Sequence, residues 1–100
     1  MSYLEDAWLP HLRLTLLRVL ANAPSYCANS SILAEAVGMM GLRASRDQVR
    51  SELAWLREQR LVTIEEPSPA LLVACITERG LDVSSGASTV PGVQRPSPKA

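Results

Sequence analysis

The chain has 100 residues, of which 47% are hydrophobic and 20% charged, and its formal net charge is zero. Such a composition is that of a folded chain, long enough for one hydrophobic core and too short for two. It contains no secretory signal and no apolar run long enough to cross a bilayer, so we expect a cytoplasmic protein without a membrane partner. Because zero net charge gives no general attraction to nucleic acid, any such function must depend on local charge.

The first predicted helix follows Pro10. The sequence HLRLTLLRVLANA carries apolar residues at helical spacing, proline suits a first helical turn, and Pro24 ends the run. The preceding residues 1–9 form an apolar, acidic opening, whose apolar residues have the spacing of a helix that packs on the body or on a second copy: Tyr3, Leu4, Trp8 and Leu9. Leu14 and Leu17 widen the apolar face, so this helix is either central to the core or part of a homodimer contact.

A second helix is predicted after a short connection at residues 25–28. Asn29 or Ser30 is its expected cap, because both side chains accept hydrogen bonds from free backbone N–H groups. Met39 and Met40, at the end of this segment, are predicted to fill gaps in the core.

The stretch SRDQVRSELAWLREQRLV predicts a third helix over residues 45–60. Ser45 and Gln48 have the spacing of a capping box, in which each side chain bonds the other residue's backbone N–H. The apolar positions that repeat on one side are Val49, Leu53 and Leu56. The first two turns are otherwise polar, as in a helix that enters the major groove of DNA.

Two strands are predicted next. Residues 61–65 alternate in polarity, residues 71–77 are rich in strand formers, and the two prolines in residues 66–70 favour a turn between them. The hairpin would pack on the helices through Val62, Ile64, Leu72 and Ile76. Residues 77–83 then form a closing turn anchored by Leu81 and Val83.

This order of elements predicts a mainly α fold with a β-hairpin (α+β). It is that of a winged helix-turn-helix, with a three-helix core and a two-stranded wing. The predicted domain covers residues 1–83. Residues 84–100, SSGASTVPGVQRPSPKA, have no apolar period and are expected to form a flexible Pro-rich tail that is open to a protein partner.

No catalytic constellation is recognisable, so an enzyme is not expected, nor is a cofactor or a metal. His11, the one histidine, is expected at the surface or in a capping role. Cys27 and Cys75 are expected to be separate reduced thiols, with a disulfide or a ligand pair as the alternatives. Trp55 lies more than a right angle from the apolar stripe of its helix, so either the wing or a neighbouring chain must cover it, or it stays exposed as an interaction patch. Trp8 fits a core or an interface.

The candidate DNA contacts lie at the start of the third helix. Arginine bonds guanine O6 and N7, glutamine suits adenine, and serine suits phosphate or base. The candidates are Arg43, Ser45, Arg46, Gln48, Arg50 and Ser51. The alternative is that these arginines are solvated or paired with Glu52 and Glu58. Glu65 and Glu66, just before the predicted turn of the wing, would repel DNA phosphates.

The segments ILAEAVG, SRDQVRSELAWLREQRLV and ITERG, in that order, resemble the winged helix-turn-helix of bacterial and phage regulators, including the arsenical-resistance (ArsR) and multiple-antibiotic-resistance (MarR) types, over residues 10–83. With ITERGLDV and TVPGVQRPSP, nearly the whole chain resembles small winged-helix proteins of Mu-like phages and prophages. The Cys-x-Cys metal motif of the ArsR type is absent from residues 45–60, so metal sensing is not implied.

The resemblance implies a transcriptional regulator that binds double-stranded DNA as a homodimer in the cytoplasm of a bacterial host. It carries the DNA-contacting role onto Ser45, Arg46, Gln48, Arg50 and Ser51. The alternative is a protein-interaction module in phage assembly, which would use Trp55, the acidic wing and the Pro-rich tail without binding DNA.

Overall fold

The computed structural model describes residues 3–97, with side chains from Asp6 onward, so predictions for residues 1–2 and 98–100 lie outside it. Within this range the fold is mixed α+β. Its helices are α1 Tyr3–Ala21, α2 Ser30–Met39, α3 Arg46–Glu58 and α4 Glu78–Ser85, and its strands are β1 Cys27–Asn29, β2 Val62–Ser68 and β3 Leu71–Ile76. The strands form one antiparallel sheet in the order β1-β3-β2. No helix of the described range is long and apolar enough to cross a membrane.

Helix α1 runs through the middle of the core. Its buried leucines are Leu12, Leu14, Leu16, Leu17 and Leu20. The prediction that the helix begins at Pro10 is wrong, because α1 starts at Tyr3 and contains Pro10 in its interior. Trp8, two residues earlier, packs against the core, and such burial opposes the cost of about 3 kcal/mol of an internal proline.

Helix α2 begins as predicted, because the side chain of Asn29 accepts a 2.8 Å hydrogen bond from the backbone N–H of Ile32. Its buried face is formed by Ser30, Leu33 and Val37. The prediction that Met39 and Met40 fill the core is wrong: they are 83% and 61% exposed. Met39 follows Val37 by two residues and therefore points away from the buried face.

The predicted connection at residues 25–28 contains a strand. Residues Pro24–Tyr26 form a single 3-10 turn, and Cys27 to Asn29 then pair with β3. A strand of three residues is too short to show a period of two in the sequence. Cys27 and Cys75 are register partners and form a disulfide, so the expectation of two separate reduced thiols is wrong.

The β2–β3 hairpin confirms the predicted strand pair but has a tighter turn. Strand β2 continues to Ser68, and its register shifts between Glu65 and Ser68, which lets Pro67 lie in the strand without breaking a regular ladder. The predicted inward positions are confirmed: Val62, Leu72 and Ile76 are buried, and Ile64 packs against the core.

The chain closes with a helix and a packed C-terminal segment. Thr77 caps α4 by accepting a hydrogen bond from the N–H of Gly80, so the predicted closing turn is a helix, and Val83 is buried in it. The prediction of a flexible tail is wrong up to residue 97, because Val90 and Val93 are 5% and 8% exposed. A turn bond from the N–H of Val93 to the carbonyl of Val90 holds both side chains against the core.

Candidate nucleic-acid interface

Hydrogen bonds fix both ends of helix α3. Ser45 is its N-cap, and its hydroxyl oxygen accepts a 3.1 Å bond from the N–H of Gln48. The reciprocal bond from the Gln48 side chain is not found within residues 3–97, so half of the predicted capping box is present. At the other end Arg60 adopts a φ of 63°, and the N–H of Leu61 returns to the carbonyl of Leu56, which turns the chain into β2.

The two faces of α3 differ as predicted. Its inner face consists of Val49, Leu53 and Leu56, all fully buried, together with Glu52. Its outer face carries the candidate DNA contacts: Ser45, Arg46 and Ser51 are exposed, and Gln48 and Arg50 are half-buried. Arg43 is exposed in the connection that leads into the helix.

Arg46 and Arg50 lie one turn apart on this outer face, and each reaches a neighbouring element. An Arg46 Nη2 donates to the hydroxyl of Ser31 at the start of α2, over 3.3 Å. An Arg50 Nη2 lies 3.5 Å from the carbonyl oxygen of Pro69 at the tip of the β2–β3 hairpin, a long hydrogen bond. The start of α2, the start of α3 and the hairpin tip therefore border one surface.

The two arginines have no carboxylate partner among the residues described. Glu52, one of the acids considered as a partner, is instead bound to Arg13 of α1, with 2.7 Å between Nε and Oε1. The charge of Arg46 and Arg50 is therefore not neutralised by an ion pair within the described chain. Ser31 was missed by sequence reasoning, since its contact depends on how α2 packs against α3.

The hairpin tip has the opposite character. Glu65 and Glu66 are exposed, and the sequence from Val62 to Ile76 contains no lysine or arginine. An anion brought against this tip would be repelled rather than bound.

Trp55 belongs to a cluster on the far side of α3. The Arg13 guanidinium carbon lies 3.9 Å from the centroid of the indole ring, and Arg13 Nη1 donates a 3.0 Å bond to the carbonyl of Gly92. A Cβ on Gly92 would be 2.8 Å from the Trp55 ring, so the C-terminal segment lies directly on the indole. Trp55 is thus covered within the chain, but the prediction that the wing covers it is wrong, because the C-terminal segment and Arg13 lie on the ring instead.

An open groove separates α1, α2 and the end of α4. Its lining includes exposed His11 and Met40 and the buried Ser84. No group of three His, Cys, Asp or Glu side chains able to hold a metal ion occurs in the described part of the chain.

The fold defined by these elements is shared with RosR of H. salinarum, with a TM-score of 0.64 and 16% identity over 73% of this chain and 64% of that chain. The complex structures of hsRosR-S1 and hsRosR-S4 each match with a TM-score of 0.63 over 78% of this chain, at 16% and 19% identity. At these identities the likeness shows the fold alone. No protein-family model matches the chain.

Proteins with similar sequences identify the family of the chain. The chain is 43% identical over 97 residues to the uncharacterized protein gp26 of Escherichia phage Mu, covering 97% of this chain and 99% of that protein. It is 47% identical over 73 residues to an uncharacterized protein of Haemophilus influenzae, covering 73% and 71%. The chain therefore belongs to the family of phage Mu gp26. The predicted likeness to proteins of Mu-like phages is confirmed, and the ArsR or MarR assignment stays a prediction.

Proposed function

We propose that this chain is a winged helix-turn-helix protein of the ArsR or MarR type that binds duplex DNA through the outer face of α3 and regulates phage or prophage transcription in the bacterial cytoplasm. The carrying observation is the pair Arg46 and Arg50, one turn apart at the exposed start of α3 and without a carboxylate partner in the described chain. The fold shared with RosR supports the winged-helix assignment. No catalytic step forms part of the proposal.

The polar groups at the start of α3 suit distinct parts of DNA. Arg46 and Arg50 can bond guanine edges or phosphates, and Gln48 can bond adenine. Ser51 and Arg43, both exposed, suit contacts to phosphate. Ser45 uses an acceptor lone pair for the helix cap, which leaves its hydroxyl proton free to donate.

The acidic hairpin restricts how this face can meet a duplex. Glu65 and Glu66 would lie unfavourably beside phosphates, so the proposed complex keeps the hairpin tip off the backbone. Phosphate contacts then come from α3, from the connection before it and from Ser31 at the start of α2. This differs from a wing that carries basic residues to the backbone.

Fluorescence anisotropy on a mixed-sequence duplex tests the proposal, with the wild type compared with the Arg46→Glu/Arg50→Glu variant. Non-specific binding with a Kd of about 10⁻⁴ to 10⁻⁶ M is expected at physiological salt, with tighter binding at low salt. The double variant should lose this salt-dependent binding. Circular dichroism should show that it remains folded, because both side chains lie outside the core.

The matched control is Arg18→Glu/Arg95→Glu. It removes the same positive charge from exposed residues on α1 and in the C-terminal segment. It should retain most of the affinity, because contact at α3 and not overall charge is what the proposal requires. Equal loss in both variants, or no wild-type binding at low salt, would rule out α3 as a DNA-binding surface.

Homodimerisation is part of the proposal, as in the sequence prediction. The wide apolar face of α1 is buried in the chain's own core, since Leu14 and Leu17 are 2% and 0% exposed. A dimer contact would therefore use the N-terminal turns of α1 around Trp8, which is half-buried. Light scattering at micromolar concentration measures whether the mass is that of one chain or two.

A protein-interaction role in phage assembly remains the second candidate, on a different surface from the one predicted. Trp55 is covered by the C-terminal segment, which is anchored in the core by Val90 and Val93. The outer side of α2 and the C-cap that follows it present Ile32, Met39 and Met40, which are 53%, 83% and 61% exposed. Exposed large apolar side chains along one helix are typical of a protein contact. This candidate predicts no salt-dependent DNA binding.

A further inference from the structure

The two cysteines of the chain lie close enough to form and break a disulfide bond. Cys27 on β1 and Cys75 on β3 are register partners with Cα atoms 4.0 Å apart, and they form a disulfide across 48 residues of sequence. Both residues are half-buried, so small solutes can reach them. Because the register of β1 and β3 places the two residues opposite each other, the bond can re-form after reduction each time β1 pairs with β3.

Strand β1 depends on this bond more than the other strands do. It has three residues, lies at the edge of the sheet and pairs only with β3. The two residues before it, Ser25 and Tyr26, have φ angles of 56° and 61°, a left-handed conformation that residues other than glycine adopt rarely. A short edge strand that follows a strained turn is an element of low local stability.

A direct path leads from β1 to the proposed DNA-binding surface. Asn29 is the last residue of β1 and the N-cap of α2, and two residues later the Ser31 hydroxyl accepts from Arg46. Strand β3 continues the other way into the hairpin, whose Pro69 carbonyl faces Arg50. The disulfide therefore joins the two elements that border the two arginines.

We propose that Cys27 and Cys75 form a reversible thiol–disulfide site that regulates the DNA-binding face. The regulation rests on the proposed function, whereas the redox chemistry does not. The disulfide fixes β1 and the start of α2 beside α3. Reduction frees β1, loosens the start of α2 and weakens DNA binding. The co-reactants are a low-molecular-weight thiol and its disulfide.

Reduction of the disulfide takes place in two steps, and in each step a small thiolate attacks a sulfur atom. A small thiolate attacks one cysteine sulfur, a mixed disulfide forms, and the other cysteine leaves as a thiolate that takes up a proton. A second small thiolate attacks the mixed disulfide and releases the oxidised small molecule and the second cysteine thiol. Two electrons pass from the two small thiols to the protein, and oxidation is the reverse. The reduced Cys27 thiol has an acceptor ready in the Ser25 carbonyl oxygen, 3.2 Å from its sulfur.

The redox site is tested without DNA. The full chain is equilibrated in buffers that differ in the ratio of reduced to oxidised glutathione. Free thiols are then alkylated, and the mass of the intact chain is measured by mass spectrometry. We expect a reversible change between no labelled cysteine and two, without cross-linked dimers. Hydrogen exchange on reduced protein should be at least about fivefold faster in residues 27–33 and unchanged in the interior of α3. No intramolecular disulfide at any buffer ratio, or identical exchange in both states, overturns the proposal.

Regulation is tested by anisotropy on oxidised and reduced protein, with the Cys27→Ser/Cys75→Ser variant as control. Reduction should weaken wild-type binding at least about fivefold, the lower end of coupling between two sites, and should leave the variant unchanged. The reduced wild type lacks the disulfide but carries no substitution, so its comparison with the variant separates loss of the bond from effects of the serines. Equal affinity in the two states overturns regulation. If neither state binds DNA, the proposed function fails, while the mass and exchange results still decide the redox site.

Discussion

At the scale of single residues, Gly80 lies where α4 passes Leu61, in the connection between α3 and β2. A Cβ at this position would overlap the carbonyl oxygen of Leu61 and lie 2.6 Å from Cγ1 of Ile76. The same carbonyl accepts the N–H of Thr77, so it cannot easily move away. We expect Gly80→Ala to lower the free energy of unfolding by about 3 kcal/mol, the upper range for overpacking. Urea denaturation followed by tryptophan fluorescence measures this.

Gly38 provides the matched control, because a Cβ there has nothing within 4 Å. It lies near the end of α2, where alanine is favoured over glycine by roughly 0.5–1 kcal/mol. Gly38→Ala should therefore raise the free energy of unfolding. A similar effect of the two substitutions would show that backbone propensity, and not the close approach to Leu61, decides the response at Gly80.

At the scale of elements, the sequence predicted what local chemistry determines. The Ser45 cap, the stripe from Val49 to Leu56 and the inward face of the hairpin follow from spacing and capping preference, and the structure has them. Strand β1 was missed because its three residues pair only through β3, which lies far away in the sequence. The exposure of Met39 was missed because hydrophobicity alone does not show which face of α2 is covered.

In the candidate site, too, some features follow from the local sequence and others depend on how the elements pack. Arg46 flanks the apolar stripe in the first turn of α3, and its exposure could be predicted because a charged side chain at a helix start is rarely buried. Its contact with Ser31, and the pairing of Glu52 with Arg13, depend on how α2 and α1 pack against α3. Local sequence patterns do not predict which side chains of two different helices come into contact. Cys27 and Cys75 were likewise read as separate because their register is a property of the sheet.

The pairing of α1 with α3 through Arg13 and Glu52 gives a second prediction. The two side chains are 14% and 11% exposed, so removing the arginine leaves a carboxylate in the interior without a counter-charge. We expect Arg13→Met to lower the free energy of unfolding by about 3 kcal/mol. Adding Glu52→Gln to this variant should restore part of the loss, because the uncompensated charge is gone.

A double-mutant cycle on these variants, measured by urea denaturation, separates the pair from other effects of Arg13, which also contacts Trp55 and Gly92. Glu52→Gln should destabilise the wild type and stabilise the Arg13→Met chain. If Glu52→Gln has the same effect in both backgrounds, the ion pair does not contribute to holding α1 against α3.

At the scale of the whole molecule, the C-terminal segment belongs to the folded body. The Cα radius of gyration is 12.7 Å, close to the value of about 13 Å for a compact chain of this length, which an extended tail would exceed. The segment crosses α1, where the N–H of Gln94 donates to the carbonyl of Pro10, and it covers Trp55 through Gly92. Polar and small residues therefore form an ordered cover here, because two valines anchor them.

The anchoring valines give the last prediction. Val90→Ala/Val93→Ala removes four methyl-sized groups from the core, at about 0.8 kcal/mol each, so we expect a loss of about 3 kcal/mol in the free energy of unfolding. Release of the segment should also expose Trp55 and shift tryptophan emission to longer wavelength. The control is Gln94→Ala/Ser97→Ala, at exposed positions of the same segment, which should unfold like the wild type. If the valine variant matches this control in both stability and emission, the segment is not part of the core, and residues 86–97 would be free to contact a partner.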